Sequence, residues 1–520
     1  MLLQLDLRSQ TPLHRQICDG VVALVESRAL RPGDRLPPTR RMAQSLGVHR
    51  TTVVRAYDEL RALGFIESTQ GSYTTVRNRA WPIRASAGGT GSGSRSSSIE
   101  WPTAISRRAR QVRDLEPSAA PSAARDGVID FDRLAADPSL APTDDFRACI
   151  RRVLAREGPK AFDYAEPAGW PPLRETVARR LRAHGIAVSP DEVLITAGAQ
   201  QALDLVLRLL VSEGDRIAVE APTYGAAHAL FRLHGARPVE IPMRPDGMDL
   251  NALERCLERT RPRLVYTIPT FHNPTGTTTD QAHRERLLAS CQRARTPLVE
   301  DGFEEEMKYF GRAVLPIKSM DANGTVLYVG TLSKVVFPGL RVGWVVAPRP
   351  AIQTLVPMMH AASLAVNTVA QIAAAHFCDG GDFDAYLRQI HRIYRRRMNC
   401  LLRGLDEHLP PEVEHTRPQG GYTAWLTLPK GARDEAEWRA RLESSGVRAA
   451  PGSRFFAKGS ERVHFRISIA CATEEQIADG CSRLGQVLRR WLPAGGRRPA
   501  ASRRGARAAA SSTPPPARRR

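Results

Sequence analysis

The sequence predicts a large α/β unit with a mostly parallel sheet, preceded by a small helical module that ends in a short hairpin. Three observations carry this. Between residues 127 and 492, short β-branched runs at 193–196, 216–219, 264–268, 298–301 and 326–329 alternate with helical patterns. Strands separated by helix-length segments imply crossovers and parallel pairing. The first 77 residues instead hold three helical patterns and two short strand patterns. Between the two lies 78–126, where SAGGTGSGSRSSS (86–98) and a Pro/Ala/Arg stretch have flexible-linker composition. A further segment, 493–520, is read as a disordered Arg-rich tail, because Pro, Ala, Ser and Arg cannot bury enough apolar surface to fold.

Bulk composition narrows the functional classes. In 520 residues, 42% hydrophobic and 25% charged content is that of a soluble globular protein with a sizeable core. Met1 to Gln10 carries Asp6 and Arg8 and lacks an apolar signal core, and no long apolar run suggests a membrane span. The eight cysteines are scattered without metal-ligand spacing, so reduced thiols, no metal and a cytoplasmic location are expected. A net charge of +21 suits a polyanion partner, yet eight arginines of the excess lie in 496–520. That tail is either compositional or a non-specific phosphate contact.

In the N-terminal module, Pro12 opens a helix whose Ile17, Val21, Leu24 and Val25 fall on one face. Thr39 is expected to cap a second helix at 40–46, with Met42, Ala43 and Leu46 inward. Gly47 gives a tight turn into a third helix, about 50–63, with a core stripe of Val53, Ala56, Tyr57 and Leu60. Arg50, Thr51, Thr52 and Arg55 then lie outward near its start, where a helix-turn-helix reads the major groove of double-stranded DNA. Residues 65–76 read as a wing around Gln70-Gly71. The segment LRPGDRLPPTRRMAQSLGVHRTTVVRAYDELRALGFIES (30–68) resembles the winged helix of GntR-type bacterial regulators. The resemblance implies DNA contacts from Arg40 and Arg50, with Thr52 and Arg55 supporting. His49 and Gly71-Ser72-Tyr73 depart from the usual capping serine and Gly-x-Gly wing tip.

In the large module, five separated elements each meet one need of a pyridoxal 5′-phosphate site. Lys334 follows a strand, flanked by the hydroxyls of Thr331 and Ser333, with Arg341 in a Pro-Gly turn beyond. A lysine amine can bind the cofactor aldehyde as a Schiff base, while hydroxyls and a guanidinium suit a phosphate. Gly198, Ala199 and Gln200 start a helix after a strand, offering N–H groups to an anion. Asn273 can donate to the phenolic oxygen. Asp301, at the end of an apolar run, can pair with the pyridine nitrogen, and Tyr224 can stack on the ring.

This order of elements resembles the fold-type I aminotransferases. The resemblance rests on Asn273-Pro274-Thr275-Gly276, Asp301, Ser333-Lys334 and Pro338-Gly339-Leu340-Arg341. It implies a homodimer in which Tyr164 reaches the partner subunit's phosphate and Arg466 grips a substrate or effector carboxylate. Phe303 stands where that family usually has a tyrosine, which favours holding the cofactor over rapid turnover. A winged helix joined by a linker to such a domain resembles the MocR group of regulators. That resemblance implies a promoter-binding transcriptional regulator sensing pyridoxal phosphate or its adduct with an amine or amino acid. The alternative is an active aminotransferase with an accessory DNA-binding module; weak or no transaminase turnover is expected.

Overall fold

The computed structural model describes residues 3–68, 73–77, 99, 101–113, 127–311 and 314–492. It divides into two compact units, Met1–Ile99 and Glu100–Arg520.

The first unit contains α1 (Leu13–Glu26), α2 (Thr39–Leu46), α3 (Arg50–Ala62) and the antiparallel strands β1 (Ile66–Ser68) and β2 (Thr74–Val76). Its core is the set the helical spacing marks: Ile17, Val21, Met42, Ala43, Val53, Ala56, Tyr57 and Leu60 are all buried. The Tyr57 hydroxyl donates to the Pro37 carbonyl at 2.8 Å, pinning α3 to the approach of α2. Gly47 closes α2 at φ 64°, a left-handed conformation that costs glycine little. One capping expectation needs correction. Thr39 is the first helical residue rather than the cap; Pro38 holds that position, without a side-chain bond. His49, in contrast, does cap α3, its Nδ1 accepting from the Thr51 N–H at 3.4 Å. The wing-tip residues 69–72 lie outside the described residues.

The second unit starts within the stretch expected as linker: α4 (Trp101–Ala104) and α5 (Arg107–Arg113) are helical. Arg108 of α5 pairs with Glu213, so this part is tied to the second unit. The rest of 78–126, apart from residue 99, and the tail at 493–520 lie outside the described residues. Then follow β3 (Ile129–Asp130), α6 (Thr143–Arg156) and α7 (Pro171–Ala183).

An eight-stranded sheet follows, formed by β4 (Val193–Thr196), β5 (Arg216–Ala221), β6 (Arg237–Arg244), β7 (Gly247–Met248), β8 (Leu264–Thr267), β9 (Leu298–Asp301), β10 (Val326–Thr331) and β11 (Gly343–Val346). Their spatial order is β4-β11-β10-β9-β8-β5-β6-β7. The run β10-β9-β8-β5-β6 is parallel, whereas β11 is antiparallel to both its neighbours. The mostly parallel sheet therefore holds, with β11 and the short edge strand β7, antiparallel to β6, as exceptions that periodicity does not reveal. Strands β4, β8, β9 and β10 are buried throughout, as a sheet covered on both faces requires. Two of the covering helices are α8 (Ala199–Leu210) and α9 (Gly225–Leu233).

A smaller antiparallel sheet has the order β12 (Glu414–His415), β13 (Thr423–Thr427), β16 (His464–Ser468), β15 (Ala450–Pro451). The short β14 (Val447–Arg448) pairs in parallel with β3.

The loop after β8 is held by the fully buried Arg284. Its guanidinium donates to the Thr279 and Thr270 hydroxyls at 3.0 and 2.8 Å and to the Pro269 and Leu315 carbonyls at 3.0 and 2.9 Å. Arg284→Leu strands several of these buried acceptors. It is expected to destabilise the second unit by roughly 2–4 kcal/mol, read as a lower urea midpoint, and to weaken whatever Asn273 in the same loop binds.

Candidate functional site

The strand ends converge on a cavity of about 130 Å³ lined by Ala199, Gln200, Tyr224, Asn273, Asp301, Phe303, Thr331, Ser333, Lys334 and Arg341 among others. Crossover topology explains the gathering: parallel strands release their loops at one edge, so residues far apart in sequence meet there.

Lys334 follows β10, and its Nζ donates to the Leu134 carbonyl at 2.6 Å. Burial pushes the amine below its ordinary range, with Arg466 and Arg341 acting in the same direction and Glu304 and Asp301 opposing. A less protonated amine is a better nucleophile toward an aldehyde.

Asp301 is the last residue of β9. Its Oδ2 accepts from the Tyr266 hydroxyl at 2.8 Å, while Oδ1 is buried without a hydrogen-bond partner. Burial pushes the carboxyl up to about 6, against the Tyr266 hydrogen bond. A buried, half-satisfied carboxylate calls for a cation or donor at its open oxygen.

Asn273 accepts from Arg466 Nη1 at 3.1 Å through its Oδ1. With its oxygen facing Arg466, the amide has its Nδ2 hydrogens available to donate to a further partner. Arg466, expected as a carboxylate clamp, is buried in β16. It also donates to the Asp132 carbonyl at 2.5 Å and leaves Nε unpartnered. Burial lowers its guanidinium to about 10.

The residues expected to form an anion cradle lie at the start of α8 and in the turns around Lys334. Gly198 caps α8 at φ 90°, and the first N–H groups of that helix, from Ala199 and Gln200, have no partner within it. Arg341, itself left-handed at φ 51°, donates to the Ala197 carbonyl. The Ser333 hydroxyl is buried and unpartnered. The Thr331 hydroxyl is engaged twice in the turn, donating to the Val342 carbonyl at 3.0 Å and accepting from the Ser333 N–H at 3.1 Å. Thr331 therefore shapes the lysine turn rather than offering an open donor.

Tyr224 lies at the start of α9 and its hydroxyl donates to Gln200 Oε1 at 3.3 Å. Tyr164 is 77% exposed and does not line the cavity of its own chain. Sequence reading missed Glu304, Asp132 and Tyr422. Glu304 belongs to the run 304–306, whose charge pattern resembles a solvated turn, yet it is fully buried. No motif marks Asp132 or Tyr422.

These residues fit pyridoxal phosphate on their own chemistry: a depressed lysine, an open carboxylate oxygen, an amide donor, and a guanidinium and helix N–H groups suited to an anion. In the first unit, Arg40, Arg50, Thr51 and Arg55 are exposed and Thr52 is half-buried. Arg50 Nε reaches the Thr39 hydroxyl at 3.4 Å, and among the described residues no carboxylate pairs with Arg40, Arg50 or Arg55. Thr51 is partly used in the cap, its hydroxyl lying 2.7 Å from His49 Nδ1.

The sheet order and the lysine beyond β10 define an aminotransferase-type α/β protein, a class that depends on pyridoxal phosphate. Residues 136–484 match the family described as aminotransferase class I and II, and residues 13–76 match bacterial regulatory proteins of the gntR family. A 2-aminoadipate transaminase of Thermus thermophilus is 39% identical over 70% of this chain and 91% of its own. The probable rhizopine catabolism regulatory protein MocR of Rhizobium meliloti is 31% identical over 88% of this chain and 89% of its own. The transcriptional regulator TauR of Rhodobacter capsulatus is 30% identical over 92% and 96%. Among solved structures, the α-aminoadipate aminotransferase LysN of Thermus thermophilus, complexed with N-(5′-phosphopyridoxyl)-L-leucine, has a TM-score of 0.69 at 36% identity. It covers 75% of this chain and 98% of that one. The chain belongs to the aminotransferase class I and II family. With its N-terminal winged helix, it is a GntR-type regulator carrying an aminotransferase-like domain.

Gly198 gives a direct test of the cradle. A Cβ there would lie 2.9 Å from both terminal nitrogens of Arg341, in addition to the strain of φ 90°. Gly198→Ala is expected to weaken pyridoxal phosphate binding roughly tenfold, through about 1 kcal/mol of backbone strain plus displacement of Arg341. Absorbance titration measures this. Gly214→Ala, at the same φ of 90° with open space around it, controls for strain alone.

Proposed function

We propose that this protein is a homodimeric, cytoplasmic transcriptional regulator that binds promoter DNA through its winged helix. Its aminotransferase-like domain senses pyridoxal phosphate or the adduct of pyridoxal phosphate with an amino compound. One observation carries the reading. The relatives named as transcriptional regulators align over about nine-tenths of the chain, both units included, whereas the transaminase aligns over 70%. Among the described residues no helix is long and apolar enough to cross a membrane.

When bound, pyridoxal phosphate supplies an aldehyde for amines and an electron-withdrawing ring. Lys334 provides the amine that holds it covalently. Asp301 Oδ1 holds a proton on the ring nitrogen, and Asn273 donates to the phenolic oxygen. Arg341, Ser333 and the N–H groups of Ala199 and Gln200 hold the phosphate, with Thr331 shaping their turn and Tyr164 reaching over from the partner subunit. Tyr224 stacks on the ring. Arg466 would orient the carboxylate of an amino-acid effector. Such an effector shifts DNA binding only by favouring one arrangement of the two winged helices over another. Phe303 lines the cavity without a hydroxyl, which favours retention over fast transamination.

On DNA, Arg50 is proposed to contact base edges, with Arg40, Thr51, Thr52 and Arg55 supporting.

Lys334→Ala is expected to abolish the visible absorbance band of the cofactor-loaded protein; an unchanged spectrum overturns the role of this lysine. Arg50→Ala is expected to weaken binding to the DNA upstream of its own gene by about 1–3 kcal/mol. Binding to random DNA of equal length should change less. Equal losses on both DNAs, measured by fluorescence anisotropy, reduce Arg50 to a phosphate contact. Rapid conversion of amino acids in the presence of a keto acid favours the alternative, a working aminotransferase.

A further inference from the structure

Arg466 is not the only guanidinium beside the cavity. The segment after β3 runs past both functional cations: the Leu134 carbonyl accepts from Lys334 Nζ at 2.6 Å, and the Asp132 carbonyl accepts from Arg466 Nη2 at 2.5 Å. Arg454 is brought to the same place by its own backbone. The Thr223 N–H, next to the cavity-lining Tyr224, donates to the Phe455 carbonyl at 2.9 Å, and a Cβ on Gly225 would lie 2.6 Å from the Arg454 carbonyl oxygen. The two arginines flank one carboxylate. Asp132 Oδ1 and Oδ2 accept from Arg454 Nη1 at 3.0 and 2.9 Å, and Oδ1 lies 3.6 Å from Arg466 Nη2.

The carboxylate is thus shared unequally. It bonds directly to Arg454 and only approaches Arg466, whose Nε stays buried without a partner. Arg454, Arg466 and Asp132 together carry one net positive charge, which a single incoming carboxylate balances. A second carboxylate on the same ligand finds Arg454 already paired and Asp132 repelling it at close range. Rejection by a like charge discriminates between ligands as effectively as a new attraction.

We infer that Asp132 is a specificity-determining residue: it holds Arg454, leaves Arg466 to take one carboxylate, and so selects monocarboxylic amino compounds over dicarboxylic ones. This deepens the proposed reading of Arg466 as the carboxylate-binding residue and rests on it. Without the Asp132 charge, Arg454 becomes a second anchor and the preference moves toward dicarboxylates.

The test uses the full chain loaded with pyridoxal phosphate and two probes of nearly equal shape, L-glutamate and L-glutamine, which differ by one charge. Half-saturation is read from the change each causes in the visible absorbance band. Asp132→Asn is expected to strengthen L-glutamate relative to L-glutamine by about tenfold, the worth of one added charge-assisted hydrogen bond. Asp132→Ser, smaller and also uncharged, should show the same gain, so the result does not hang on one variant folding. Calorimetry with glutarate, which has no amine and cannot join the cofactor, should show the gain as well. The gain is expected to vanish in Asp132→Asn/Arg454→Leu. An L-glutamate response that does not strengthen in either Asp132 variant overturns the proposal, as does a gain that survives the loss of Arg454. Equal weakening of both probes overturns it too, and leaves Asp132 as a support that merely holds Arg466 in place. Failure of the underlying reading is distinct: Arg466→Gln would then bind both probes as the wild type does.

Discussion

A buried guanidinium must be hydrogen-bonded and neutralised, and at Arg466 this requirement joins the parts of the large unit. Arg466 belongs to the small antiparallel sheet, Asn273 to a loop of the large sheet, and Asp132 to the segment just after β3. Asp132 supplies both a backbone acceptor at 2.5 Å and a carboxylate at 3.6 Å, and it also pairs with Arg454. One cation thus fixes three separate stretches of chain around the cavity. Removing any partner leaves a buried charge partly unmet, which is among the larger penalties in a protein interior. The same contact turns the Asn273 oxygen toward Arg466 and leaves its Nδ2 hydrogens available to donate.

The site therefore consists of groups held in deliberately incomplete pairing. Asp301 Oδ1, Ser333 Oγ, Arg466 Nε and Glu304 Oε1 are all buried without partners. Asp301, Arg466 and Glu304 are each anchored through another atom, which fixes where their open atoms lie. One such constellation can serve different functions on a shared fold. In this chain it is accompanied by a winged helix in which, among the described residues, the exposed Arg40, Arg50 and Arg55 pair with no carboxylate.

Much of this was legible in the residues. Strand runs such as 193–196 and 298–301 were plain because both faces of a parallel sheet are apolar. Lys334, Asp301 and Asn273 could be singled out because each follows a strand, where α/β sites form. The core stripe of α3 followed from helical spacing. Less legible were helix boundaries and anything decided by which partner a side chain meets in the folded chain. Thr39 looked like a cap, but Pro38 takes that position. Thr331 looked like a phosphate donor until Val342 and Ser333 claimed its hydroxyl. Trp101–Ala104 and Arg107–Arg113 fell in a stretch with linker composition, and Arg108 finds its acid at Glu213.

The sequence by itself determined the two-unit division, the α/β class and the chemical identity of the groups available, because periodicity, turn residues and side-chain type are local properties. Tertiary structure decided the rest: the antiparallel insertion of β11, the burial of Arg466, and the burial of Glu304 within an apparently solvated acidic run. Which face a side chain turns inward, and what charge it meets there, depends on crossovers that join residues far apart in the chain. Burial then sets the electrostatics, raising carboxyls and lowering amines by amounts no local pattern carries.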